Sequence, residues 1–140
     1  MFRGEAQHGM DLKGRTVIPQ RYREHLGDKF VITKGLDNCL FLFPFDEYMK
    51  IEKKISAMPI SDPTVRQFVR FFVGGAVDTE TDAQGRFVVP QNLRKHAFID
   101  KEVVFVGAIT RLEMWASELY NAEEPGDAAD MAEKLAEFGL

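Results

Sequence analysis

The sequence predicts a pseudo-symmetric α+β fold, because one β-rich module occurs twice in tandem, with helices between and after the copies. Shifting the chain by 71 residues aligns Met10–Arg23 with Thr81–Arg94, and seven of the fourteen aligned pairs are identical. The longer helical periodicities lie outside the two copies. Strands grouped apart from the main helices are typical of α+β folds rather than of alternating α/β folds.

Each copy contains an Asp-x-x-Gly-Arg turn, at Asp11–Arg15 and at Asp82–Arg86. The glycine of such a turn is free to take a positive φ angle, which a side chain would disfavour. A run rich in β-branched residues follows each turn and predicts a short strand at Arg15–Ile18 and at Arg86–Val89.

A short helix and two further strands complete each copy. Pro19 and Pro90 fit the first position of a helix, where a missing N–H costs nothing, and Gly27 is placed to end the first helix. The two strands that follow are joined by residues 35–38 in the first copy and 107–110 in the second. The stretch from Cys39 to Phe43 is apolar throughout, which predicts a strand covered on both faces; it is Cys39-Leu-Phe-Leu-Phe43.

Three longer helices are predicted outside the repeated segments. The first begins near Asp46, and Asp62 caps the second, with Pro59 to Pro63 forming the bend between them. A third is capped by Asp127, and its apolar residues need a surface on this chain or on a neighbouring one. The apolar positions are Tyr48, Ile51, Ile55 and Met58 in the first helix, Val65, Phe68, Val69, Phe72 and Val73 in the second, and Met131, Leu135 and Phe138 in the third. Phe71 widens the stripe of the second helix, which indicates a deep core or a subunit interface.

We therefore divide the chain into four segments. Residues 1–58 form the first module with its following helix, and residues 59–75 form the connecting amphipathic helix. Residues 76–122 form the second module, and residues 123–140 form an acidic C-terminal helix.

Charge is distributed unevenly along a chain whose net charge is −4. Residues 1–34 hold seven Lys/Arg against four Asp/Glu, a net of +3, whereas residues 113–140 have a net of −7. The acidic end is interpreted as a solvated surface, with competition against DNA for the basic face as a second interpretation. The basic N-terminal part is compatible with a nucleic-acid partner.

Composition argues against membrane, metal and disulfide chemistry. The chain has no apolar stretch near the length of a membrane span and no apolar signal-peptide core, so we expect a cytoplasmic protein. A single cysteine excludes an intrachain disulfide, and the histidines lack ligand-like spacing; they are His8, His25 and His96. No metal, cofactor or small-molecule substrate is expected.

The repeated turn is the candidate binding element. One copy alone is explained equally well by an aspartate that caps the turn and pairs with the arginine four residues later. A turn does not require arginine after its glycine, however, and both copies have it. A glycine-supported loop that carries arginine can approach nucleic acid closely, and an arginine fork can pair with guanine in the major groove. The first turn is more basic, because Lys13 precedes Gly14 and because Arg21 and Arg23 lie on the next helix.

These motifs resemble the MraZ family of bacterial transcriptional regulators, whose two halves each resemble the swapped-hairpin AbrB DNA-binding module. The resemblance covers nearly the whole chain up to about Glu123, with the motifs in matching order and spacing. They are Met1–Gly4, Asp11–Arg15, Ile18-Pro19, Gly35–Phe43 and Asp82–Arg86.

The resemblance implies both a fold and a function. The implied fold is a pseudo-symmetric β-barrel made from two tandem AbrB-like swapped-hairpin modules. The implied function is that of a nucleoid-associated, sequence-specific repressor, assembled as a ring-shaped homo-oligomer. It would bind repeated G-rich boxes in the double-stranded promoter DNA of the operon for cell division and cell-wall synthesis. The implied DNA-contacting residues are Lys13, Gly14, Arg15, Arg86 and Arg3, and the loop-structuring residues are Asp11, Asp82 and Gly85.

Two alternatives stay open, and a third is disfavoured. The chain would also suit a structural ring that binds no DNA, or an AbrB-like antitoxin that wraps a toxin with its C-terminal segment. The duplication argues against the antitoxin, because such proteins usually carry one module. An enzyme is not expected, since Cys39 lies in an apolar strand and nothing places His96 beside it.

Overall fold

The computed structural model describes residues 1–122 and 126–140. The first copy contains the strands and the short helix that the turn motif predicts, in the order β1 (Glu5–Gly9), β2 (Arg15–Val17), α1 (Gln20–Leu26), β3 (Lys29–Lys34) and β4 (Leu40–Pro44). Helices α2 (Phe45–Ser56) and α3 (Pro63–Phe68) follow, and a π-helical turn at Val69–Val73 extends α3.

The second copy repeats the pattern as β5 (Val77–Glu80), β6 (Arg86–Val88), α4 (Gln91–His96), β7 (Glu102–Gly107) and β8 (Leu112–Ala116). Helices α5 (Ser117–Ala122) and α6 (Ala128–Leu135) and a 3₁₀ turn at Ala136–Phe138 complete the described chain.

The two copies exchange strands within one antiparallel sheet. The strand order is β1-β7-β8-β4-β3-β5, and β2 pairs with β6 in a separate two-stranded ladder. Strand β1 of the first copy pairs with β7 of the second, and β5 of the second copy pairs with β3 of the first. When every strand is replaced by its counterpart in the other copy, the same strand order results, read from the opposite edge of the sheet. The fold is therefore pseudo-twofold symmetric, and its symmetry relates halves that are interleaved.

The α+β class is confirmed, whereas closure of a β-barrel stays a prediction. Strands β1 and β5 form the two edges of the six-stranded sheet and are not paired with each other in the described part of the chain. The β2–β6 ladder has contacts with both edges, to β1 through β2 and to β5 through β6. The division of the chain at residues 58, 75 and 122 likewise stays a prediction.

Two apolar clusters cover the sheet, one on each face. The first includes Phe30, Leu42 and Phe105 with Phe87 of the β2–β6 ladder. The second includes Phe43 and Trp115 with residues of α2 and the π-helical turn. Every residue of β4 is buried, which confirms the prediction of a strand covered on both faces. Phe71 packs against the second cluster and so contributes to the core.

The helix boundaries mostly agree with their capping signals. Gly27 ends α1, and Asp62 accepts a hydrogen bond from the Thr64 amide at 2.8 Å at the start of α3. Pro19 and Pro90 were predicted one residue too far into their helices. Both have extended ψ angles, 137° and 148°, so they cap the helices from outside.

Helix α2 is shorter than predicted, and helix α6 is exposed. Met58 was wrongly included in the apolar face of α2, because the helix ends at Ser56 and Met58 is 43% exposed. Asp127 does cap α6, accepting a hydrogen bond from the Ala129 amide, but no described part of the chain covers the helix. The large apolar side chains of α6 and of the 3₁₀ turn after it are 40–82% exposed, namely Met131, Leu135 and Phe138. No helix in residues 1–122 or 126–140 is long and apolar enough to cross a membrane.

Candidate nucleic-acid interface

The aspartate of the first turn organises both the backbone and the arginine. Asp11 Oδ1 accepts hydrogen bonds from the Lys13 and Arg15 amides, each at 2.9 Å, and the Gly14 amide donates to the Asp11 carbonyl at 3.1 Å. Asp11 Oδ2 accepts a hydrogen bond from Arg15 Nε at 2.7 Å. The Arg15 amide and guanidinium together lower the pKa of Asp11, since both favour its charged form. The turn therefore keeps Arg15 attached to a carboxylate that stays ionised.

The second turn has the same geometry. Asp82 Oδ1 accepts hydrogen bonds from the Gln84 and Arg86 amides at 2.9 Å, and Asp82 Oδ2 accepts one from Arg86 Nε at 2.7 Å. The Arg86 amide is again the largest cause of a lowered aspartate pKa. Both turns thus contain the local pairing of an aspartate with the arginine four residues later, which is also expected of a turn with a purely structural role.

The β2–β6 ladder places the two arginines on one face. Arg15 lies opposite Val88, and Arg86 lies opposite Val17. Opposite residues of an antiparallel ladder point to the same side, as do residues two apart on one strand. All four residues therefore share a face, and the Cα atoms of the arginines are about 8 Å apart from strand rise and spacing. We call these four residues the arginine face.

The arginine face is exposed, whereas the opposite face of the same ladder is buried. The side chains of Arg15 and Arg86 are 54% and 58% exposed, and Val88 is 52% exposed. Thr16 and Phe87, which point the other way, are each 3% exposed. Within the described residues, Nε is the only guanidinium nitrogen of Arg15 and of Arg86 that donates a hydrogen bond. Both terminal amino groups of each guanidinium thus remain available to a ligand.

A groove of about 970 Å³ runs beside the arginine face. Strand β5 lines it along its whole length, whereas strand β1 contributes only Gly9. Asp78 and Glu80 of β5 are exposed there, and their counterparts in the first copy are the uncharged Gln7 and Gly9. The arginine face is therefore pseudo-symmetric, but its surroundings are not: the β5 side carries two carboxylates where the β1 side has uncharged residues.

The structure brings some predicted residues together and leaves one apart. Lys13 is exposed in the first turn, next to the arginine face, and Gln84 takes its place in the second turn. Arg3 lies at the far end of β1, where its carbonyl accepts a hydrogen bond from the Tyr22 hydroxyl at 3.1 Å. Arg3 does not line the groove beside the arginine face.

Sequence reasoning missed the role of a second arginine pair. Its position in the sequence groups Arg23 with the first turn, but the structure places its guanidinium against Gly85 of the second turn. Arg94 lies in the same way against Gly14 of the first turn. The signal was present, because Arg23 and Arg94 are one of the seven identical pairs of the repeat.

Cys39 is a buried structural thiol, as predicted. Its side chain is inaccessible, and burial raises the pKa of the thiol to about 12. A thiolate nucleophile is therefore disfavoured at this position. His96 contacts the Asp37 carbonyl through Nε2 at 3.3 Å and packs edge-on against Phe71.

Comparison with known proteins places the chain among bacterial regulators. The model of the family described as "MraZ protein, putative antitoxin-like" matches residues 1–71 and again residues 72–137. A protein of Carboxydothermus hydrogenoformans named transcriptional regulator MraZ is 51% identical over 143 aligned positions, which cover the whole of both chains. A protein of the same name from Acetivibrio thermocellus is 48% identical, again over the whole of both chains.

Proposed function

The chain belongs to the MraZ family, and from that premise we propose that it is a sequence-specific repressor that binds double-stranded promoter DNA through its arginine face. The observation that carries the proposal is the pair of aspartate-held arginines, Arg15 and Arg86, on one exposed face of a two-stranded ribbon. The relatives named as transcriptional regulators support the regulatory role.

A two-stranded ribbon suits the major groove, which is about 12 Å wide and admits such an element. If the β2–β6 ribbon lies in the groove with its exposed side inward, the arginine face points at the base edges. Each guanidinium is held through Nε, so its two terminal amino groups can donate to O6 and N7 of a guanine. Fixing the guanidinium before binding reduces the conformational entropy lost on contact.

The first turn is proposed as the stronger contact. Lys13 adds a charge that can reach phosphate. The place of a side chain at Gly14 is filled by Arg94, so Gly14 would contribute through its position in the turn. The second turn offers Arg86 without a neighbouring lysine. Arg3, which lies away from the arginine face, would at most add a distant phosphate contact.

Several subunits acting together would supply the affinity that one subunit lacks. One acidic chain with two short basic turns neutralises few phosphates, and affinity for DNA rises with their number. We propose a ring-shaped homo-oligomer in which identical faces engage successive boxes. Linked contacts of this kind can raise affinity on the order of a hundredfold or more.

The finer points of the proposal come from the family resemblance. They are a closed barrel, repeated G-rich boxes, control of the operon for cell division and cell-wall synthesis, and a cytoplasmic, nucleoid-associated location. The contacts of the β2–β6 ladder with both sheet edges are compatible with a closed barrel.

The decisive experiment is a footprint and mobility shift on the DNA upstream of the gene. Wild type should protect specific boxes, and Arg15→Ala should abolish specific binding while the assembly stays intact by sedimentation. Arg70→Ala is the matched control, because Arg70 is an exposed arginine on the outer π-helical turn. Normal box protection by Arg15→Ala would refute the assignment.

Box spacing tests the multivalent part separately. Inserting half a helical turn of DNA between two boxes turns the second box to the other side of the duplex. Binding should weaken sharply, whereas a full-turn insertion should restore much of it. Equal affinity for all three spacings would refute simultaneous engagement of several subunits.

A toxin-binding role is the second candidate, because the uncovered apolar residues of α6 and the 3₁₀ turn after it are suited to a protein partner. A neighbouring toxin gene, and a stable complex that requires Leu135 and Phe138, would support it. Box protection without any such partner favours the repressor.

A further inference from the structure

We propose that Arg23 and Arg94 are positioning residues that act crosswise: Arg94 of the second copy holds the first turn, and Arg23 of the first copy holds the second. The proposal rests on the proposed function, since the turns it concerns are those assigned to DNA. Its geometric part stands without DNA.

Each of these arginines is anchored to the end of the strand in its own copy. Arg23 Nε donates to the Ile18 carbonyl at 2.8 Å, and Arg94 Nε donates to the Val89 carbonyl at 3.0 Å. Both bonds span five residues and are partly buried. The two guanidinium groups are thereby fixed in equivalent places.

The fixed guanidinium lies against the glycine of the opposite turn. A Cβ built on Gly14 would lie 2.7 Å from Arg94 Nε, and one built on Gly85 would lie 2.5 Å from Arg23 Nε. Both glycines have positive φ angles, 79° and 78°. Glycine is therefore required at both positions for two reasons: the positive φ angle, and the arginine side chain that occupies the place of a Cβ.

Backbone hydrogen bonds join the same partners. The Val89 amide donates to the Gly14 carbonyl at 2.8 Å, and the Ile18 amide donates to the Gly85 carbonyl at 2.9 Å. Each turn is thus hydrogen-bonded to the strand end of the other copy and lies against the arginine of that copy. A displaced turn glycine would carry its neighbour, Arg15 or Arg86, out of position on the arginine face.

The planar shape of arginine explains why lysine would not replace it here. The guanidinium can donate sideways through Nε while its flat face rests on a glycine. A lysine ammonium keeps the charge but has no such plane. This difference separates a positioning role from a phosphate contact, for which charge alone matters.

The test compares Arg94→Lys with Arg23→Lys by hydrogen exchange of the intact protein, without DNA. Losing the Nε hydrogen bond to the strand end also releases the guanidinium from the opposite turn glycine, which should speed exchange about tenfold in that opposite turn. Arg94→Lys should speed exchange in the first turn, residues 11–14, and leave the second turn, residues 82–85, unchanged, and Arg23→Lys should do the reverse. Uniform acceleration in both turns, or acceleration in the turn of the same copy, would overturn the proposal.

DNA binding gives the second readout. Arg94→Lys should weaken box binding about tenfold with the salt dependence of wild type, because no phosphate contact is lost. Wild-type affinity in Arg94→Lys combined with weak binding in Arg94→Gln would instead identify a phosphate contact and overturn the positioning role. If crossed exchange is seen but no variant, nor wild type, protects DNA, the proposed function fails and the geometric coupling stands.

Discussion

Arg15 and Arg86 lie on the same side of one antiparallel ladder although 70 residues separate them in the chain. Each is held by the aspartate four residues before it, with the same 2.7 Å bond. Because the pair is related by the pseudo-twofold axis, changes in one turn have a matched control in the other.

Replacing Asp11 by Asn should separate the two roles of this carboxylate, which orders the turn backbone through Oδ1 and holds Arg15 through Oδ2. Asn can still accept the two backbone amide bonds through Oδ1, but its amide nitrogen cannot accept the bond from Arg15 Nε. We expect an intact fold and about tenfold weaker box binding, since a charge-assisted hydrogen bond that fixes the guanidinium is lost. Titration of a labelled box measures the affinity.

Asp82→Asn is the paired variant, and a smaller loss is expected because the second turn lacks a lysine. Wild-type affinity in both variants would show that prior orientation of the arginines does not matter.

Gly14→Ala should destabilise the protein. A Cβ at this position would meet Arg94 and the Val89 carbonyl at 2.7–2.9 Å, on a backbone with φ of 79°. Strain of this type costs about 1–3 kcal/mol, which denaturant unfolding would measure. Gly9→Ala is the control, because a Cβ there meets nothing closer than 3.9 Å. A Gly14→Ala variant as stable as Gly9→Ala would contradict the crowding described for the first turn.

Neutralising the acidic edge should strengthen DNA binding. Asp78 and Glu80 face the groove beside the arginine face and repel phosphate. The double variant Asp78→Asn/Glu80→Gln should raise affinity about tenfold at low salt and less at high salt, since screening weakens the repulsion. Lys29 lies opposite Glu80 in the β3–β5 ladder and offsets part of this charge.

The same charge change on α2, Asp46→Asn/Glu52→Gln, serves as the control for net charge. Equal gains from both double variants would show that the effect belongs to total charge and that the position of β5 is irrelevant.

The uncovered apolar residues of α6 and of the 3₁₀ turn after it should matter for assembly. Replacing Met131, Leu135 and Phe138 by Ser removes apolar side chains that the described chain leaves exposed. We expect a smaller particle in sedimentation velocity, with the fold of residues 1–122 retained. The control replaces Glu133 and Glu137 by Ser, which leaves those apolar residues in place. An unchanged particle in the triple variant would exclude α6 from the subunit contacts.

The sequence by itself determined the local elements, because their causes are local. The Asp-x-x-Gly-Arg turns, the cap at Asp62 and the end of α1 at Gly27 depend on residues a few positions apart. The fully apolar strand after residue 38 likewise predicted burial on both faces. The errors at Pro19 and Met58 concern single positions at helix ends, where neighbouring conformations differ little in free energy.

Only the tertiary structure decided which residues meet across the repeat. Strand exchange pairs β1 with β7 and β5 with β3, so that each copy supplies an edge strand to the other. It unites Arg15 and Arg86 on one face and sends Arg23 and Arg94 to opposite turns. Such pairings depend on contacts between residues far apart in the chain. The repeat in the sequence therefore shows two equivalent turns, but it does not show that each turn packs against an arginine of the other copy.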